Sequence, residues 1–216
     1  MKRVFIDLEM NPISVQYHCL RKLCKQEIIQ IAAVMYDEND TQTGTFCEYV
    51  RPQYNDRITR EIHRLTGIAD RMVMAADTFP EVMNRFQAWC GEGCQLYCWS
   101  DNDVSQLRKE SLMKQYAGME RLMQLAEGWD DVQNLFAQKS GIDRIVKLGE
   151  AIDLCGICFR NHAHDALSDA AATAELYYEL QSGKNIRIIN RMLKEPGESC
   201  GTSLGDLFAG FCLASA

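Results

Sequence analysis

No stretch of this chain is apolar for the roughly 18–20 residues that a membrane-spanning helix needs, so no membrane association is expected. Its start, Met1-Lys2-Arg3-Val4-Phe5-Ile6-Asp7, lacks the long apolar run of a secretion signal, and a cytoplasmic location is expected. Positive charge is also short. Lys and Arg number 23 against 30 Asp and Glu, a net charge of −7, which is not the basic stripe of a protein that coats polyanions. There is no internal repeat and no low-complexity tract. Cysteine is not scarce, at 10 residues, but in a chain of 216 without a secretion signal these read as reduced thiols rather than a disulfide framework. Apolar residues at 47% and charged residues at 25% exclude disorder and collagen-like repeats, and leave one α/β domain with a tail.

Residues 3–9 (RVFIDLE) combine β-branched and aromatic side chains and read as a buried strand that ends in carboxylates. Residues 27–37 and 43–51 read as two more strands, joined across the turn-rich Asp37-Glu38-Asn39-Asp40. Helical patterns follow at residues 59–65 and 79–89, the second with Phe79, Val82, Met83, Phe86 and Trp89 on one stripe. Residues 95–99 (QLYCW) follow a Gly-x-Gly turn, are too short for a helix and read as a fourth strand. Helices are expected at residues 103–116, 130–138, 148–155 and 165–181. Strands first and helices later suggest a mixed sheet flanked by helices. A basic stretch at residues 184–194 precedes a Gly- and Ser-containing tail.

In Asp7-Leu8-Glu9 the two acids stand two apart, so a strand points both to one face while Leu8 faces the other layer. Alone, Asp-x-Glu reads by default as a solvent-facing pair on an edge strand. Here the flanks Val4, Phe5, Ile6 and Leu8 look central in a sheet, where unpartnered carboxylates are costly unless they bind something. Hard divalent cations need oxygen ligands, and two such ions can activate water and stabilise an in-line displacement at phosphorus. His164 and Asp169 are five apart at the start of a helical run. An imidazole near neutrality suits a proton acceptor, although a capping or surface histidine and a solvated aspartate are the blander readings.

Taken in order, these segments resemble the DEDDh branch of the DnaQ-like 3′–5′ exonuclease superfamily. The likeness runs through Phe5-Ile6-Asp7-Leu8-Glu9, Glu27-Ile28-Ile29-Gln30-Ile31, Leu65-Thr66-Gly67-Ile68, Trp99-Ser100-Asp101-Asn102-Asp103 with Leu107, and His164-x-Ala166-x-x-Asp169-Ala170. Tyr49-Val50-Arg51-Pro52 and Ala76-Asp77-Thr78-Phe79-Pro80 give it a flavour similar to Eri-type exoribonucleases and KapD-like bacterial proteins. The resemblance implies a mixed five-stranded RNase H-like sheet flanked by helices, with an exonuclease domain over residues 1–182 and a basic helix and tail over 183–216. It implies that Asp7, Glu9, Asp103 and Asp169 bind two divalent cations, Mg²⁺ or Mn²⁺, and that His164 is the general base. Leu8, Met10 and Asn11 would hold the terminal nucleotide. The implied substrate is a single strand of RNA or DNA with a free 3′ end, cut to nucleoside 5′-monophosphates. A non-catalytic nucleic-acid-binding or scaffold protein that keeps the fold, and a trimming or proofreading subunit of a larger complex, are the alternatives. A protein partner or homo-oligomer is left open.

Other signals compete. Cys90, Cys94 and Cys98 with Cys155 and Cys158 invite a zinc site, but Cys also serves as a small buried hydrophobe. Arg57, Arg60, Arg64 and Arg71, and Lys184, Arg187, Arg191 and Lys194, could steer a phosphate backbone or simply solvate a face. Met119, Met123 and Trp129 read as core packing.

Overall fold

The computed structural model describes residues 1–157 and 165–182 and gathers five strands into one mixed sheet. These are β1 (Lys2–Pro12), β2 (Gln26–Tyr36), β3 (Gln42–Tyr49), β4 (Cys94–Cys98) and β5 (Asp130–Asp131). The described helices are α1 (Arg60–Thr66), α2 (Asp70–Met74), α3 (Phe79–Cys90), α4 (Asn102–Met113), α5 (Met119–Leu125), α6 (Val132–Ser140), α7 (Leu148–Leu154) and α8 (Ala166–Ser182). The sheet order is β3-β2-β1-β4-β5. β1, β2 and β3 form an antiparallel meander, and β4 and β5 join parallel to β1. This is the α/β architecture, with a mixed five-stranded sheet flanked by helices, expected from the sequence.

Strand alternation divides the core in two. Val4, Ile6 and Leu8 face α3, α4 and α5, while Phe5 faces the layer of α6, α7 and α8. α3 starts at Thr78, whose N–H donates to Glu81 Oε2 at 2.8 Å, and its buried stripe is the one the spacing predicts. It stops at Gly91, where φ is +68°, a conformation that favours glycine. Each large apolar side chain withdrawn in this way contributes roughly 1.5–3 kcal/mol.

Three features position the site. First, β4 pairs with β1 only from Lys2 to Phe5, so Asp7 and Glu9 stand beyond the C-terminal end of β4. Second, the β1–β2 register shifts between Glu9 and Met10, where Glu9 pairs with Gln30 and Met10 with Ile28. The extra residue, Ile29, is wholly buried with Ile58, Ile68 and Val73, which gives the Leu65-Thr66-Gly67-Ile68 segment a structural role. Third, α8 is fixed at both ends. Asp165 accepts the Ser168 N–H at 3.1 Å, capping its start. Tyr177 and Tyr178 lie with Phe5 in an aromatic cluster at centroid distances of 5.4 and 6.0 Å. Between them Ala166, Ala170 and Ala174 are buried and small, so the helix lies close to the sheet.

Some expectations differ in detail. The helix expected over residues 130–138 begins two residues late, because Asp130 and Asp131 pair with Tyr97 and Cys98 as β5. The Gln133 N–H then donates to the Trp99 carbonyl at 2.8 Å. Two residues carry too little periodicity to announce a strand. α2 and α5 are short helices the pattern did not separate, while Met119, Met123 and Trp129 do pack on the core. His164 and residues 183–216 lie outside the described residues.

Candidate metal centre

Asp7 and Glu9 share the β1 face that carries Phe5, and α8 covers that face. Helix α8 brings Asp169 from 160 positions along the chain, and one carboxylate oxygen each from Asp7, Glu9 and Asp169 lies within 4.8 Å of the others. Asp103 comes from the first turn of α4 and is only 6% exposed. It stands outside the 4.8 Å group but close enough that its charge raises both Asp7 and Glu9. The backbone N–H groups of Leu8 and of Asp103 itself act to lower its pKa.

The electrostatics are those of crowded acids. Burial, then the charges of Asp103, Asp169 and Glu9, hold the Asp7 carboxyl well above the usual range. Glu9 is pushed up to about 8 by burial first and by Asp169, Asp103 and Asp165 after it. Burial raises Asp103 to about 7 against the pull of those two N–H groups. No Lys or Arg forms an ion pair with Asp7, Glu9 or Asp103 among the described residues. Ionising them together therefore calls for an added cation. An oxygen-only donor set suits a hard divalent ion, so the residues fit such a group.

The other sequence-derived candidates fall in different places. Met10 is half-buried and lines a cavity at the end of β1. Leu8 is packed in the core. Asn11 is 1% exposed, and its side chain donates to the Arg57 carbonyl at 3.0 Å and accepts the Thr59 N–H at 3.0 Å, tying the start of α1 to β1. Cys90 and Cys98 are buried in one core and Cys155 in the other.

Sequence reasoning missed the ion triad behind the site. Lys114 Nζ lies 2.8 Å from Glu27 Oε1 and 2.8 Å from Glu110 Oε1, all three side chains almost wholly buried. Glu27 also accepts the N–H groups of Gln53 and Tyr54, each at 2.7 Å, and Glu110 accepts that of Ile28 at 2.8 Å, beside the β2 bulge. The only hint was Glu110 and Lys114 four apart on a helix.

Fold and site together define an α/β protein with an acidic centre on its central strand β1, beyond the C-terminal end of the parallel β4. Residues 4–177 match the Exonuclease family (RNase T), and the chain belongs to that family. It is 28% identical over 170 residues to the 3′-5′ exonuclease crn-4 of Caenorhabditis elegans, covering 69% of this chain and 54% of that one. It is 24% identical over 173 residues to 3′-5′ exoribonuclease 1 of Rattus norvegicus, covering 77% and 50%. The chain thus spans about half the length of these curated relatives. Among solved structures, the nuclease domain of 3′hExo, a DEDDh family member bound to rAMP, superposes with a TM-score of 0.70 at 22% identity, covering 84% of this chain and 92% of that one.

Proposed function

We propose that this chain is a metal-dependent 3′–5′ exonuclease of the DEDDh type that removes nucleoside 5′-monophosphates from the 3′ end of single-stranded RNA or DNA. The observation that carries the reading is the convergence of Asp7, Glu9 and Asp169 within 4.8 Å, with Asp103 against the same group. Membership of the Exonuclease family supports it. Two bound Mg²⁺ or Mn²⁺ ions would supply an activated water and offset charge on the phosphoryl group. Asp7, Glu9, Asp103 and Asp169 would hold them, each carboxylate being carried on a strand or a helix start. His164, next to the α8 cap Asp165, takes the proton of the attacking water. Met10 meets the terminal nucleotide, with Leu8 and Asn11 fixing the backbone on either side of it.

The test is degradation of 3′-labelled single-stranded RNA and DNA by the wild type, with Mg²⁺ or Mn²⁺ and with chelator. Stepwise release of mononucleotides that needs the metal and disappears in Asp7→Asn is expected. His164→Ala should lose roughly 10²–10⁴-fold in rate, the usual size of a general-base contribution. Wild-type turnover no greater than that of Asp7→Asn would instead mark a binding protein that has kept the fold.

A further inference from the structure

Between the β1–β2 connection and α4 lies a cavity of about 560 Å³, lined by Met10, Arg21, Lys22, Leu23, Lys25 and Lys109 among others. Met10 follows Glu9, and Asn102, which also lines it, precedes Asp103, so the segments that line the cavity are also those that carry two of the acids. Its outer wall is the connection between β1 and β2, which carries Arg21, Lys22 and Lys25, and the facing wall is α4, which carries Lys109. No Asp or Glu is among the lining residues. None of the four cations enters an ion pair among the described residues. In a chain of net charge −7 this is a local concentration of unneutralised positive charge against the overall balance.

The connection is held firmly at its base. The Ile13 N–H donates to the Lys25 carbonyl at 3.0 Å, the Ser14 N–H to the Tyr54 carbonyl at 3.1 Å, and Gln106 Nε2 to the Gln26 carbonyl at 2.9 Å. Ile13 and Cys24 are each 1% exposed, whereas Leu23, at 63%, turns an apolar side chain outward. Cations interleaved with apolar side chains suit a nucleic-acid strand, phosphates on one and a base against the other.

We infer that this cavity binds the substrate strand on the 5′ side of the scissile bond, its backbone phosphates on Arg21, Lys22, Lys25 and Lys109 and a base against Leu23. The inference rests on the exonuclease reading, and its direction follows from it. An enzyme that removes one nucleotide at a time from a 3′ end has a single nucleotide beyond the cut. A cradle of four cations exceeds the need of that one phosphate and serves the several phosphates on the other side.

The test compares two substrates of the full chain. One is a single strand of about a dozen nucleotides. The other is the p-nitrophenyl ester of thymidine 5′-monophosphate, which has the terminal nucleotide but no phosphate upstream. Lys25→Glu and Lys109→Glu should each lower the ratio of kcat/KM for the strand to kcat/KM for the ester by about tenfold or more, mainly through KM. Each should also flatten the log–log salt dependence of strand binding by roughly 0.7, the value for one phosphate contact on a single strand. Lys147→Glu makes the same charge change on an exposed residue ahead of α7 and should keep the wild-type ratio. A wild type active on both probes, with an unchanged ratio in both cavity variants, overturns the inference and leaves the exonuclease reading standing. A wild type inactive on both overturns the two together.

Discussion

Asp7 is half-buried beside three other acids, and its substitution separates catalytic need from structural cost. A carboxyl whose pKa is higher in the folded than in the unfolded state holds its proton in the fold after the unfolded chain would release it. The metal-free fold therefore loses stability as pH rises from about 4, the unfolded value. The loss continues through the folded values, about 7 for Asp103 and about 8 for Glu9, and is absent where both states are protonated. Asp7→Asn should then melt higher than the wild type in chelator. The gap should widen from mildly acidic to mildly alkaline pH, by about 2–4 °C for each kcal/mol of repulsion removed, and narrow when Mg²⁺ is added. Thermal melting across pH reads this directly; a gap that shrinks with rising pH would contradict it. These acids were legible in the sequence because the spacing of Asp7 and Glu9 decides their shared face before any fold is known. The placement of Asp103 was less so, since it comes from the first turn of α4 and only the fold brings its charge to Asp7 and Glu9.

At the scale of elements, the Glu27–Lys114–Glu110 triad ties the end of α4, the start of β2 and the loop after β3 into one body. Burial alone would lower the Lys114 pKa, but the two carboxylates outweigh it and raise it, so the ammonium stays charged. Glu110 remains above its ordinary value because its own burial outweighs Lys114. Removing the shared cation strands two buried carboxylates, and Lys114→Met should cost about 3–5 kcal/mol in urea unfolding near neutral pH. A loss below about 1 kcal/mol would mean that the triad does not hold these elements together. No local pattern could have announced it. Ile28 and Glu110 meet from 82 positions apart, and β5 is equally hidden, a two-residue strand made only by its neighbour. Elements with strong local periodicity, such as α3 and the β1–β2–β3 meander, were readable because their burial follows their own sequence. The hairpin turn was readable as well, since Asp37 Oδ1 accepts the N–H groups of Asn39 and Thr41 at 2.9 and 3.0 Å.

For the whole molecule, the excess of acid conceals a division of charge. Asp7 and Glu9 on β1 gather with Asp169 of α8, while Arg21, Lys22, Lys25 and Lys109 gather at the cavity between the β1–β2 connection and α4. Net charge averages these into −7, which is why composition spoke against a polyanion partner. Three cations within five residues, just after the acidic strand, were the signal available. It stayed mute until α4 supplied the opposite wall. The described helices include none long and apolar enough to cross a membrane.

The claim on which the rest depends is that the clustered acids jointly hold metal, and calorimetric titration of the purified chain with Mn²⁺ measures that without any substrate. Wild type is expected to bind two Mn²⁺ per chain with release of protons near neutral pH, and Asp7→Asn to lose at least one of them. Absence of Mn²⁺ binding by the folded wild type, or binding by Asp7→Asn with the same stoichiometry and affinity, would contradict the account.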